Sequence, residues 1–146
     1  MTPFRFRLEK ALHLRRIELD LEEAKFRQCT LEIAGLEKQQ AELHDAAARA
    51  EVEVRTQAAL AGSDLAALAS YRHYLAGQGK QLAQRIGEAR QRAEAQKKTV
   101  LEAGRRCELL ERLKQKRKAE WQAAADREIE QLAAESYLAN ATRRAK

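Results

Sequence analysis

His13, His44 and His73 are the only imidazoles in the chain, and none has a second His or a Cys three or four residues away. A metal face on a helix needs ligands at that spacing, so these histidines predict no zinc site. Cys29 and Cys107 form neither a CxxC pair nor a disulfide framework. They read first as small apolar residues of a helix seam and second as a redox-sensitive pair. Carboxylates are plentiful but interleaved with Lys and Arg, a spacing that suits i,i+4 pairing on solvated helices. General acid–base work needs a drier setting. No Gly-rich loop follows a strand, so nothing here cradles a nucleotide phosphate. Asn140-Ala141-Thr142 fits the glycosylation sequon, which in a chain that reads as cytoplasmic is a chance match. The expectation is a protein without catalytic residues, cofactor or metal.

The chemistry left is contact through charge and apolar surface. The net charge is +6 and is unevenly placed. Residues 1–58 hold ten Lys/Arg against eleven Asp/Glu, whereas residues 79–146 hold seventeen against ten. The excess is densest in Arg105, Arg106, Arg112, Lys114, Lys116, Arg117 and Lys118, interrupted only by Glu108 and Glu111. Two readings stay open for this stretch: solvated helix faces, or a contact face for an acidic partner. Nucleic acid is one such partner. However, aromatics interleaved with the cations for base stacking are missing, which leaves only phosphate tracking.

The elements that carry these residues are helical. Leu12, Leu19, Phe26, Ile33, Gln40, Ala47 and Val54 recur every seventh position, with Leu8, Cys29, Leu36, Leu43 and Ala50 offset by three or four. A second ladder holds Ile86, Val100, Cys107 and Trp121, with Leu82, Ala89, Ala103, Leu110 and Ala124 beside it. Two apolar positions per heptad make a narrow stripe that must be buried against another helix. A content of 34% charged and 5% aromatic residues with a single Pro fits the same class. The fold class predicted is all-α: a long antiparallel two-helix coiled coil, one domain over residues 1–146. Its first helix runs over about 3–61, started by Thr2 as N-cap and Pro3 at the first helical position. Gly62 then ends that helix and Ser63 caps a short helical segment, so that connector and segment occupy about 62–78. Gly77 and Gly79 break the chain, and a second long helix follows over about 80–142. Equal lengths about this connector pair residues whose numbers sum to about 136–142. That pairing sets Leu43 near Val100, Phe26 near Leu110–Leu113, Leu19 near Trp121, and Cys29 within a layer of Cys107. No run approaches the ~20 apolar residues of a membrane span, and the N-terminal string lacks the apolar core of a signal peptide.

The string Phe4-Arg5-Phe6-Arg7-Leu8-Glu9-Lys10, followed by Leu12, Leu14, Arg15 and Arg16, resembles the opening of FliJ-type flagellar export proteins. These begin with a Phe-x-Phe-x-Leu-Glu segment and then an Arg-bearing helix. Tyr71-Arg72-x-Tyr74-Leu75 resembles their mid-chain segment, and Leu110-Glu111-Arg112-Leu113-Lys114-x-Lys116 their Leu-Glu-x-Leu-Lys signature. The resemblance extends to the YscO-type stalk proteins of injectisomes and covers essentially the whole chain. One departure is Leu132-Ala133-Ala134-Glu135, where many members carry an Asp-Glu pair.

The resemblance implies a non-enzymatic central stalk of the bacterial flagellar type III export apparatus. Its implied partners are the hexameric flagellar export ATPase, the cytoplasmic domain of the export gate, and export chaperones, with no nucleic acid. The implied location is cytoplasmic, peripheral at the inner face of the inner membrane. Carried onto this sequence, Phe4, Phe6, Leu8, Arg15, Arg16, Leu110, Arg112, Leu113 and Arg117 would meet the ATPase. Leu68, Tyr71, Tyr74 and Leu75 would meet the gate. The alternative is a basic coiled-coil scaffold that binds nucleic acid or another assembly.

Overall fold

A computed structural model describes residues 2–145 and is helical almost throughout. Helix α1 spans Glu9–Thr56 and helix α2 spans Gly62–Arg144, joined by residues 57–61. The two helices pack against each other, and no strand occurs among the described residues. No helix among them is long and apolar enough to cross a membrane.

Three expected boundaries move. The first helix starts at Glu9 instead of near residue 3, leaving residues 2–6 non-helical and residues 7–8 as a turn. Glu9 N–H donates to the Phe6 carbonyl at 3.2 Å, and Leu12 N–H to that of Leu8 at 2.9 Å. Pro3 disfavours the helical conformation of the residue before it, and the Phe4 ring finds a partner on α2 instead. The second correction concerns Gly62, which opens α2 instead of ending α1 and has no positive φ. The cap is therefore not Ser63. Ala61 N–H donates to Asp64 Oδ2 at 3.1 Å, while the Ala61 carbonyl accepts from Asp64 N–H at 3.0 Å. This is the reciprocal arrangement that satisfies the free donors of a helix start. The third correction removes the break at Gly77 and Gly79. The segment at 62–78 is the opening of α2 itself, which runs on without interruption.

The packing resolves into two compact units. In Leu21–Leu101, the stretches of α1 and α2 run antiparallel. Glu51 meets Arg72, Glu37 meets Arg90 at 2.9 Å, Glu32 meets Arg92 at 2.8 Å, and Glu22 meets Gln96. The core is Leu36, Leu82, Ile86 and Ala89, with Ile33 and Leu43 packed against it. Leu75 and Ala93 are also buried, which extends the α2 stripe in alternating steps of three and four. Gly79 fills one slot of that stripe. The Leu43 side chain lies over it, 3.7 Å from where a Cβ would stand.

Contacting residues in this unit sum to 118–127, not 136–142. Leu43 therefore meets Gly79 rather than Val100. Phe26 and Cys29 fall between the Glu22–Gln96 and Glu32–Arg92 contacts. Starting α2 at residue 62 moves the fold point toward the N-terminus, and each α1 residue meets α2 about four turns earlier than the sequence predicts.

The other unit comprises Met1–Asp20 with Glu102–Lys146. Here Glu9 meets Lys114 at 2.8 Å, Arg16 meets Glu111 at 3.2 Å, and Leu19 lies against Gly104 rather than Trp121. Leu12 is fully buried, and Cys107 and Ala125 are buried with it. The helix–helix seam therefore ends near Lys114. Residues 126–144 of α2 are exposed at every position.

Two measurements check this architecture. A Cβ at Gly77 meets nothing within 4 Å. Gly77→Ala should therefore raise the unfolding free energy by about 1 kcal/mol in chemical denaturation; a loss would restore the break. Glu22 tests the inter-helix contacts by pH. The Gln96 amide, then Lys25, holds its carboxyl below the usual carboxylate range. A lowered folded pKa adds stability that is present above the unfolded pKa and lost as pH falls through the folded one. Glu22→Gln should thus lower the melting temperature at neutral pH, and the difference from wild type should vanish in acid.

Candidate functional site

The period of the N-terminal segment is two: Phe4, Phe6 and Leu8 alternate with Arg5, Arg7 and Glu9. In extended backbone such alternation puts apolar side chains on one face and cations on the other. Thr2–Phe6 is non-helical, as that pattern requires. Its apolar face meets α2. The Phe4 ring lies 6.0 Å from the Trp121 ring at 52°, a tilted aromatic pair of the favourable kind. The Trp121 indole N–H donates to the Thr2 carbonyl at 3.2 Å, which satisfies the one polar atom of that side chain. Glu9 and Lys114 fasten the segment where α1 begins.

Between this segment and α2 lies an open groove of about 1060 Å³, lined by residues 2–8 with Leu113, Arg117 and Trp121. Phe4, Phe6, Leu113 and Trp121 are half-buried, and Leu8 is 42% exposed. Arg5, Arg7 and Arg117 are exposed around them. Arg117 shares its guanidinium with Glu120 at 3.0 Å, whereas Arg5 and Arg7 make no ion pair among the described residues. The groove thus has an apolar floor and a cationic rim, the composition of a protein-docking surface.

Of the residues expected at the ATPase, Phe4, Phe6, Leu8, Leu113 and Arg117 come together here. The others do not line the groove. Arg15 pairs with Glu18 at 2.8 Å, Arg112 with Glu108, and Arg16 with Glu111 across the seam. Leu110 is half-buried on α2. Sequence reasoning assigned Trp121 to the seam and overlooked Arg5 and Arg7. The two-residue period was the available signal.

The second set lies in the Leu21–Leu101 unit. Tyr71 and Tyr74 are exposed and stacked, with ring centroids 6.5 Å apart at 22°. Arg72 between them bonds Glu51 on α1, which fixes the α2 face that carries the rings. Leu68 is half-buried and Leu75 buried, so Leu75 belongs to the seam instead of a surface.

No group of three His, Cys, Asp or Glu stands close enough for a metal among the described residues. The two thiols are free. They lie in different units, at variance with the expectation that they fall within a layer of each other. Burial, then the neighbouring Glu111 carboxylate, pushes the Cys107 thiol up, against a smaller pull from Arg16. Compared with protein-family models, curated proteins and solved structures, the chain matches none.

Cys107 should therefore stay protonated at neutral pH and react slowly. With a thiol reagent under native conditions, half-buried Cys29 should be modified first and Cys107 only on unfolding. Cys107→Ser should remove the slow phase alone; equal rates for both thiols would contradict the burial.

Proposed function

We propose that this chain is a non-enzymatic coupling component of a bacterial type III export apparatus, of the flagellar kind. In this reading the groove between residues 2–8 and α2 docks on the hexameric export ATPase. The stacked Tyr71 and Tyr74 face the cytoplasmic domain of the export gate, and export chaperones are further partners. The protein then works peripherally at the cytoplasmic face of the inner membrane.

One observation supports this reading above the rest. The two stretches that carry the resemblance to FliJ-type proteins, Phe4–Glu9 and Leu110–Lys116, are a hundred residues apart in sequence. They are joined by the Glu9–Lys114 ion pair, and residues of both line one groove. A fold that needed these residues only for its own seam would bury them, yet the aromatic floor is left half open, and Arg5 and Arg7 make no ion pair among the described residues. Apolar anchors ringed by arginine are what a stable protein contact uses.

The measurement is ATP hydrolysis by the purified export ATPase with and without this chain, beside direct binding. Wild type should bind and stimulate. Replacing both Phe4 and Phe6 by Ala should weaken binding at least about tenfold, about 1.4 kcal/mol of lost contact. Far-UV circular dichroism should be unchanged, because both residues precede α1. Wild type that neither binds nor stimulates would overturn the proposal.

A further inference from the structure

Helix α2 changes sign along its length where it leaves the seam. Residues 105–118 hold seven cations and two carboxylates; residues 119–138 hold five carboxylates and one cation, Arg127. On the side turned away from α1 this pattern is fully in solvent. Leu109 and Leu138 stand 67% and 62% exposed, and Arg112, Lys116, Glu120, Ala123, Arg127, Glu130 and Ala134 between them are exposed as well. Their spacing, in steps of three and four, is that of one helical face. It is a separate face from the groove, whose α2 lining is Leu113, Arg117 and Trp121.

We infer that this outer face pairs with the same face of a second copy of the chain, the two α2 helices antiparallel about an axis beside Ala123. The charge order is the argument. An antiparallel match in which residue numbers add to 246 or 247 sets Lys116 opposite Glu130 and Glu120 opposite Arg127. Each pair occurs twice by symmetry. Leu109 then covers Leu138 at both ends, and the small Ala123 and Ala124 meet at the centre. A two-fold contact requires such self-complementarity, and a parallel match would set like charges together. The matched stretch, residues 109–138, is about 45 Å of helix. Two apolar residues at each end and exposed ion pairs between them make a contact that is weak and salt-sensitive. This inference is independent of the proposed export role, since it concerns the free chain.

The full-length chain tests it by sedimentation equilibrium over a dilution series. Wild type should show a monomer–dimer equilibrium at low salt, with dissociation at least about tenfold easier in molar salt, where the screening length falls to about 3 Å. Glu120→Lys with Glu130→Lys should be monomeric, as should Lys116→Glu with Arg127→Glu. Mixing the two variants should restore a dimer, because each reversed half then meets its complement. A disulfide gives a second readout in a Cys29→Ser, Cys107→Ser background. Ala123→Cys should cross-link on mild oxidation, whereas Gln131→Cys, about 22 Å along the helix from its mate, should not. Wild type that stays monomeric throughout would overturn the inference, as would a dimer indifferent to both reversals and their mixture.

Discussion

Five residues, 57–61, connect a helix of 48 residues to one of 83, and the partner of every other residue in their unit follows from how tightly that connection turns. Asp64 closes the turn by taking the Ala61 N–H, so α2 is in register from its first turn and no slack remains. With the fold point fixed there, Leu43 has to lie over Gly79, and Glu37 and Glu32 come level with Arg90 and Arg92. The apolar stripe alone would not choose among registers. A slide by one heptad replaces one small or branched residue with another, and the Ala-rich layers tolerate it. The connector and the cross-seam ion pairs make that choice.

Those ion pairs are solvent-exposed and each contributes little to stability, about 0–1 kcal/mol. Their worth lies in what a slide of one heptad would undo: Glu51 would face Leu65 or Gly79 instead of Arg72, and Leu43 would lie over Arg72 or Ile86 instead of Gly79. The seam supplies most of the stabilising burial, and that burial is thin: among the described residues nine are buried, three of them alanine, and no polar side chain is among them. A thin seam leaves most of each helix surface in water. The features able to recognise another protein are therefore placed beside the seam: the groove under residues 2–8, the Tyr71–Tyr74 pair, and the outer face of α2.

The heptad spacing of Leu12, Leu36, Leu82, Ile86, Ala89 and Cys107 was enough to read the two-helix class, and all six are buried; the antiparallel sense follows from the short connector between long helices. The register was misread because Gly77 and Gly79 carry poor helix propensity, and propensity is a weak guide once packing intervenes. At Gly79 the Leu43 side chain lies within ordinary contact distance of where a Cβ would stand, so the residue that looked like a break is a seam position. Half of the groove was visible in the sequence, through Phe4, Phe6, Leu8, Leu113 and Arg117. Trp121 was not, because its heptad position suited the seam and only the changed register leaves it to the Phe4 ring. Arg5 and Arg7 escaped notice because a helix was extended over a segment whose two-residue alternation describes extended chain.

Charge links the groove to the outer face of α2. Arg117 lines the groove and sits one residue from Lys116, so both cations contribute to one local field within the screening length of about 8 Å at physiological salt. An acidic partner entering the groove is drawn by that combined field. A second copy that sets Glu130 against Lys116 cancels part of it. Occupancy of the groove and self-association are then opposed even though they use different faces, and by linkage each weakens the other equally. Since the opposition is carried by exposed charge and not by overlap of surfaces, salt should relieve it while leaving the apolar contacts of Phe4 and Phe6 with a partner in place.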